Sequence, residues 1–252
     1  KPLVVQYVVW ISSTVRGDFG MSLLYRQPAL DVVLGRIPAT LQLTAGGFVF
    51  MLLLSVPFGV LSAVKRGSAL DVAGRTIAAF GQALPGFWIG IMLILVFAVE
   101  LGWLPAIGYG SPKNLILPAV ALSFGVMAQL MRLTRATMLE ALNQDYIRTA
   151  RAKGLGERVV TWRHALRNAL LPVITVMGTS VGHLLGGAVI VEIIFGWPGI
   201  GQFVIVGISQ RDYPVVQGFV LYLAVIFLLV NLAIDVLYRW LDPRLNFNRK
   251  TA

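Results

Sequence analysis

The chain has no cysteine, two histidines and only 11 Asp and Glu among its 252 residues. Without cysteine, structural disulfides, thiolate metal ligands and thiol nucleophiles are excluded. His183 has no second His or Cys close by, so a metal site lacks its ligand set. A membrane-embedded enzyme would need a nucleophile–base pair that the long apolar runs do not contain. No G-x-x-x-x-G-K-[ST] occurs, so the chain has no phosphate-binding loop. Those runs also lack the midplane carboxylates common in ion-driven carriers and self-sufficient channels.

Apolar length is what the chain has in quantity. Hydrophobic residues make up 57%, charged residues 13%, and the mean hydropathy is +0.79. A helix crosses hydrocarbon with about 20 mainly apolar residues. Five stretches qualify, at 37–64, 76–99, 114–131, 168–191 and 213–234. None contains Lys, Arg, Asp or Glu, and only His183 is ionisable. The third is short and extends into its polar flanks. The expected fold is therefore an all-α, multi-pass integral membrane protein.

Lys and Arg set the orientation. Segments 65–75, 132–167 and the tail from Arg239 hold 15 of the 21 Lys and Arg residues. Segments 1–36, 100–113 and 192–212 hold the other 6. The first set, with Ala252, is expected in the cytoplasm, and Lys1 outside. One further span ahead of Lys1 would then bring both ends of a six-span protein to the cytoplasm. The net charge of +10 is mostly this topology signal. A nucleic-acid partner is not indicated, because the cations flank spans and no reading module accompanies them.

The most distinctive segment is the polar one at 132–167. Residues 136–146 favour helix, with Met138, Leu139 and Leu142 on one face. Residues 147–154 repeat that preference until Gly154-Leu155-Gly156 breaks it. Residues 159–171 resume as a basic helix running into Pro172. This helix, turn, helix elbow either docks a soluble partner or lies on anionic membrane lipid.

The run DYIRTARAKGLGERVVTWRHALRNALLP, residues 145–172, resembles the cytoplasmic signature of bacterial ATP-binding cassette importer permeases. It is most similar to the first permease of the peptide and nickel branch. Gly154 holds the signature glycine, and Leu171-Pro172 closes the motif. Arg148-Thr149-Ala150 stands where Glu-Ala-Ala is usual, and Leu-Pro comes late; both read as character of the branch. Further segments resemble the family in its own order: Arg16-Gly17-Asp18-Phe19-Gly20, Arg36-Ile37-Pro38-Ala39-Thr40, Leu84-Pro85-Gly86-Phe87-Trp88, Leu101-Gly102-Trp103-Leu104-Pro105, Phe195-Gly196-Trp197-Pro198-Gly199-Ile200-Gly201 and Arg211-Asp212-Tyr213-Pro214.

The resemblance implies a type I importer fold of six helices, five of them present here, in the bacterial cytoplasmic (inner) membrane. It divides the chain into an external segment with short helices (1–36), a transmembrane domain (37–239) and a cytoplasmic tail (240–252). It also implies a second homologous permease, two ATPase subunits and an extracytoplasmic substrate-binding protein as partners. ATP and Mg would be used by the ATPases, with no cofactor on this chain. Asp145, Arg148, Thr149, Ala150, Arg151, Ala152, Lys153, Gly154 and Leu155 would form the coupling loop. Its small residues would allow close docking, and its cations would meet carboxylates on the ATPase. The cargo implied is a dipeptide or oligopeptide, with nickel, glutathione or a metal chelate as alternatives.

Within the spans, Gly178, Gly182 and Gly186 recur every four residues, with Gly187 beside the last. They serve either helix packing or a gate between two permease halves. His183 is either a functional group or a neutral histidine bonded to a carbonyl. Glu192, nine positions on, points nearly the opposite way from His183 at about 100° per residue. Asp235, near Arg239, reads as an interfacial charge. Pro57 and Pro85 each remove a backbone donor within a span. Trp197, Pro198, Gly199 and Gly201 form an outer turn leading to a short helix at 202–209, with Trp197 and Tyr213 at the interface.

Overall fold

In a computed structural model, residues 2–241 are described. The chain is about 80% helical. Two short helices, α1 (Leu3–Val15) and α2 (Ala29–Leu34), lead into α3 (Ile37–Val64), an uninterrupted helix across Pro57. A tight turn connects it to α4 (Ala69–Ala83). Next come α5 (Gly86–Leu93) and a wide, π-type continuation over Ile94–Glu100. α6 (Pro112–Leu142) is followed by the small α7 (Asp145–Ala152). A third long rod starts with α8 (Glu157–Val159), widens over Val160–Ala165 and continues as α9 (Leu166–Ile194). α10 (Ile200–Ser209) and α11 (Tyr213–Leu241) complete the order.

Four of these rods are long and apolar enough to cross a bilayer, and the α4–α5 pair makes a fifth if counted as one broken span. The chain bends by 113° between its two arms. The span expected at 76–99 falls on this pair, with the bend at the proline named within it. Leu84 is extended, and Pro85 enters α5 without a donor to give. Most of the polar segment at 132–167 is itself helical. α6 carries on as helix through Leu142, and helix resumes at Glu157. Strong helix formers such as Arg132, Met138, Leu139 and Glu140 keep the backbone helical after the apolar run ends.

Packing is closest between α3 and α6, because glycines let the backbones approach. A Cβ at Gly59 would sit 2.6 Å from Thr134 Cβ, and one at Gly47 would sit 3.3 Å from Leu122. Small residues substitute here for the hydrophobic drive that lipid cannot supply. The central core at one end joins Leu43, Leu122, Leu184, Phe195 and Trp197. A second cluster, at the other end, joins Val60, Met138, Ile147, Val160 and Ala169 beneath α7. The assigned tail at 240–252 lies outside the described residues from 242 onward, and the side chains of Asp235 and Arg239 lie outside them too.

Candidate functional site: the elbow and the ties that hold it

α7 sits across the ends of α3, α6 and α9. Ile147 is fully buried and Ala150 nearly so, both in the cluster with Val60, Ala63, Met138 and Ala165. This corrects the expectation for Ala150: its methyl faces the protein's own core, not an outer partner. Asp145, Tyr146, Arg148, Thr149 and residues 151–159 are exposed.

The end of α7 explains Gly154. Its φ is +78°, a conformation that glycine adopts without steric cost. Gly154 N–H donates to Arg151 O at 2.9 Å, and Leu155 N–H donates to Ala150 O at 3.3 Å. These two bonds are a Schellman closure of the helix. A Cβ at Gly154 would meet nothing within 4 Å, so backbone angle alone constrains the position.

Arg151 has a carboxylate partner within the chain. Its Nε and Nη2 donate to the two carboxylate oxygens of Glu157 at 2.7 and 3.1 Å. That fork bridges α7 and α8 across the turn, and the hydrogen bond to Glu157 pushes the Arg151 pKa further up. The pair is exposed, so it adds little to the stability of the elbow. Arg148, 76% exposed, makes a looser pair with Asp145 at 3.3 Å.

Beside the elbow, Asp71 is an acid whose importance the sequence reading missed. It is 1% exposed. Arg135 donates to it through Nε at 2.6 Å and Nη2 at 3.0 Å. Ser62 Oγ donates at 2.6 Å and Gly67 N–H at 3.0 Å. One carboxylate thus ties α3, its following turn, α4 and α6. The legible trace was Ser68-Ala69-Leu70-Asp71, a serine cap with an acid three residues on; the Ser68 side chain does accept from Asp71 N–H.

At the opposite end, Glu192 is fully buried. It accepts from Thr40 Oγ1 at 2.6 Å, Gly201 N–H at 2.8 Å and Gln202 N–H at 3.1 Å. Trp197 is buried too, its Nε1 donating to Ala39 O at 2.8 Å. That corrects the reading of Trp197 as an interface residue. Gly199 and Gly201 are buried and leave room for Glu192 and Val189, while Pro198 is half-buried. The short helix starts at Ile200, two residues earlier than expected. Asp212, also buried, accepts from Ser22 Oγ at 2.5 Å and Leu24 N–H at 3.2 Å. Burial alone would raise its pKa, but these bonds outweigh that and hold it below the ordinary value.

The glycine row on α9 does not act as one seam. Gly182 lies against Phe227 of α11, where a Cβ would be 3.0 Å away, and Gly187 lies against Leu122. Gly178 is half-buried, whereas Gly186 and His183 are exposed and open space lies next to Gly186.

An all-helical membrane domain with a protruding, internally braced elbow is the architecture of a transporter subunit. Residues 55–247 match the family described as binding-protein-dependent transport system inner membrane component, and the chain belongs to it. The chain is 42% identical over 247 residues to the glutathione transport system permease protein GsiC of Escherichia coli, covering 98% of this chain and 81% of that protein. It is 41% identical over 275 residues to the dipeptide transport system permease protein DppB of Alkalihalophilus pseudofirmus, covering 98% and 83%. The inward-facing methionine ABC transporter MetNI shares the fold, with a TM-score of 0.67 at 20% identity over 83% of this chain and 95% of that chain. The protein is a permease subunit of an ATP-binding cassette importer.

Proposed function

We propose that this permease forms half of the membrane pathway for uptake of small peptides, with a second, homologous permease forming the other half. Two cytoplasmic ATPase subunits supply ATP hydrolysis with Mg, and an extracytoplasmic binding protein delivers the cargo. The observation that carries this reading is the division of labour in α7. Ile147 and Ala150 fix the helix to the core while Arg148, Thr149 and Lys153 remain exposed for a partner. A helix so braced transmits displacement rather than absorbing it, because packed interiors are stiff. Lipid adhesion would need an exposed apolar stripe on α7, and its one apolar face is buried within the protein.

Orientation follows the cation bias, with the elbow in the cytoplasm and α10 outside. A cysteine at Arg158 should resist an impermeant thiol reagent in intact cells while one at Ser111 reacts; the reverse pattern would overturn the assignment. The peptide class is supported by relatives named for dipeptide and glutathione transport, glutathione being itself a small peptide. Uptake by a deletion strain complemented with this permease and its partners tests the cargo. Dipeptides, longer peptides, glutathione and nickel are compared. Restoration by nickel alone would refute the peptide reading.

A further inference from the structure

Two cavities flank α4. One, about 220 Å³, is lined by apolar side chains including Phe50, Leu54, Ile77 and Met127. The other, about 260 Å³, is lined by Ser62, Arg75, Ala79, Arg132 and Arg135. Gly74 and Met131 border both, so α4 meets its neighbours along a narrow seam. In that seam Ala78 packs on Ala128 and Met131, and a Cβ at Gly81 would come 2.5 Å from Ala128 Cβ. These contacts are apolar and non-directional. The directional contacts converge on Asp71: the two-pronged bond from Arg135 of α6 and the hydroxyl of Ser62 of α3.

That bond stands where movement of the elbow would arrive. Arg135 lies seven residues before Leu142, where the helix ends just short of α7, about 10 Å at 1.5 Å per residue. Ser62, the second side-chain donor to Asp71, lies between Val60 and Ala63, which pack directly under α7. The cluster beneath α7 draws on α3, α6 and α9 but includes no residue of α4. α4 therefore receives the elbow's displacement through α3 and α6, and Asp71 gathers both.

We infer that Asp71 and Arg135 are positioning residues that convey movement of the elbow into the bent α4–α5 pair, and so couple ATP hydrolysis to transport. The inference rests on α7 being seated on the ATPase. Its test uses the assembled transporter in liposomes and reads uptake per ATP hydrolysed, with dialanine and glutathione as probes. Asp71→Asn and Arg135→Gln should lower that ratio about tenfold, the scale of one lost charged hydrogen bond. Arg135→Lys, which keeps the charge but loses the fork, should fall between. A purely structural bond would reduce uptake and hydrolysis together and leave the ratio at the wild-type value; that result, or failure of Arg135→Lys to assemble, would overturn the inference. Failure of the seating itself would show separately, as undiminished recovery of ATPase with a permease carrying Arg148→Ala and Lys153→Ala.

Discussion

Gly199 and Glu192 offer a test of the outer tie from both sides. Gly199 has φ −85° and ψ 179°, extended backbone that alanine adopts freely, so Gly199→Ala carries no conformational penalty. Its Cβ, however, would overlap the Glu192 carboxylate. The carboxylate would have to leave Thr40 and the Gly201 and Gln202 N–H groups. Stranding buried donors costs about 1–3 kcal/mol each, and some regain partners, so Gly199→Ala should cost about 2–5 kcal/mol. Glu192→Ala should cost a similar amount by removing the acceptor. In the double variant there is no carboxylate to displace, so the total should match Glu192→Ala alone, a coupling of at least about 2 kcal/mol. Thermal unfolding of the assembled transporter in nanodiscs, with proteolysis of α10 as a local reading, measures all three. Additive costs would refute the account of Glu192 as the group that Gly199 makes room for.

At the elbow, Gly154→Val should reduce recovery of the ATPase without affecting insertion, because a β-branched residue at φ +78° costs about 1–3 kcal/mol of strain. Gly154→Asn should be tolerated; equal loss in both would point away from backbone angle. Ala150→Glu should destabilise the elbow itself and raise its protease sensitivity, since the carboxylate would enter the Ile147 and Met138 cluster. Arg148→Ala should weaken ATPase association while protease sensitivity stays unchanged. Asp212 has a folded pKa below its ordinary 3.8, so its stabilisation is present above that value and is lost as pH falls through the folded pKa. Thermal unfolding of Asp212→Asn should show a deficit that is constant near neutrality and shrinks only below about pH 4.

Much of the architecture was written in hydropathy. α3 begins and ends where its apolar run does, because nothing but lipid and helix satisfies such a segment. Hydropathy was a poor guide where helix continued beyond the membrane. α6 and the α8–α9 rod run on through charged residues, whose backbone remains helical regardless of what surrounds the side chains. The break at Pro85 was visible as a missing donor, but the 113° bend also needs Leu84 to leave the helix. At the elbow, the Gly154 turn was readable from composition, whereas the inward face of Ala150 was not. Which face of α7 is buried depends on Val60 and Ala169, residues far away in the chain. The partners of Asp71, Glu192 and Asp212 were hidden for the same reason: each bridges segments that only folding brings together.

Those three acids share a placement that explains why a chain with only 11 carboxylates buries them. Asp71 lies in the first turn of α4, Asp212 immediately before α11, and Glu192 on the N–H groups that open α10. A helix start leaves N–H groups without intrahelical partners and carries partial positive charge. At a span's end, where water is scarce, a carboxylate answers both needs at once. Each acid also accepts a hydroxyl from another helix or loop, Ser62 on the preceding helix or the distant Ser22 and Thr40. The start of a helix is thereby fixed to a neighbour instead of to solvent. Asp71, Glu192 and Asp212 are thus placed where a helix start needs an acceptor that solvent does not supply.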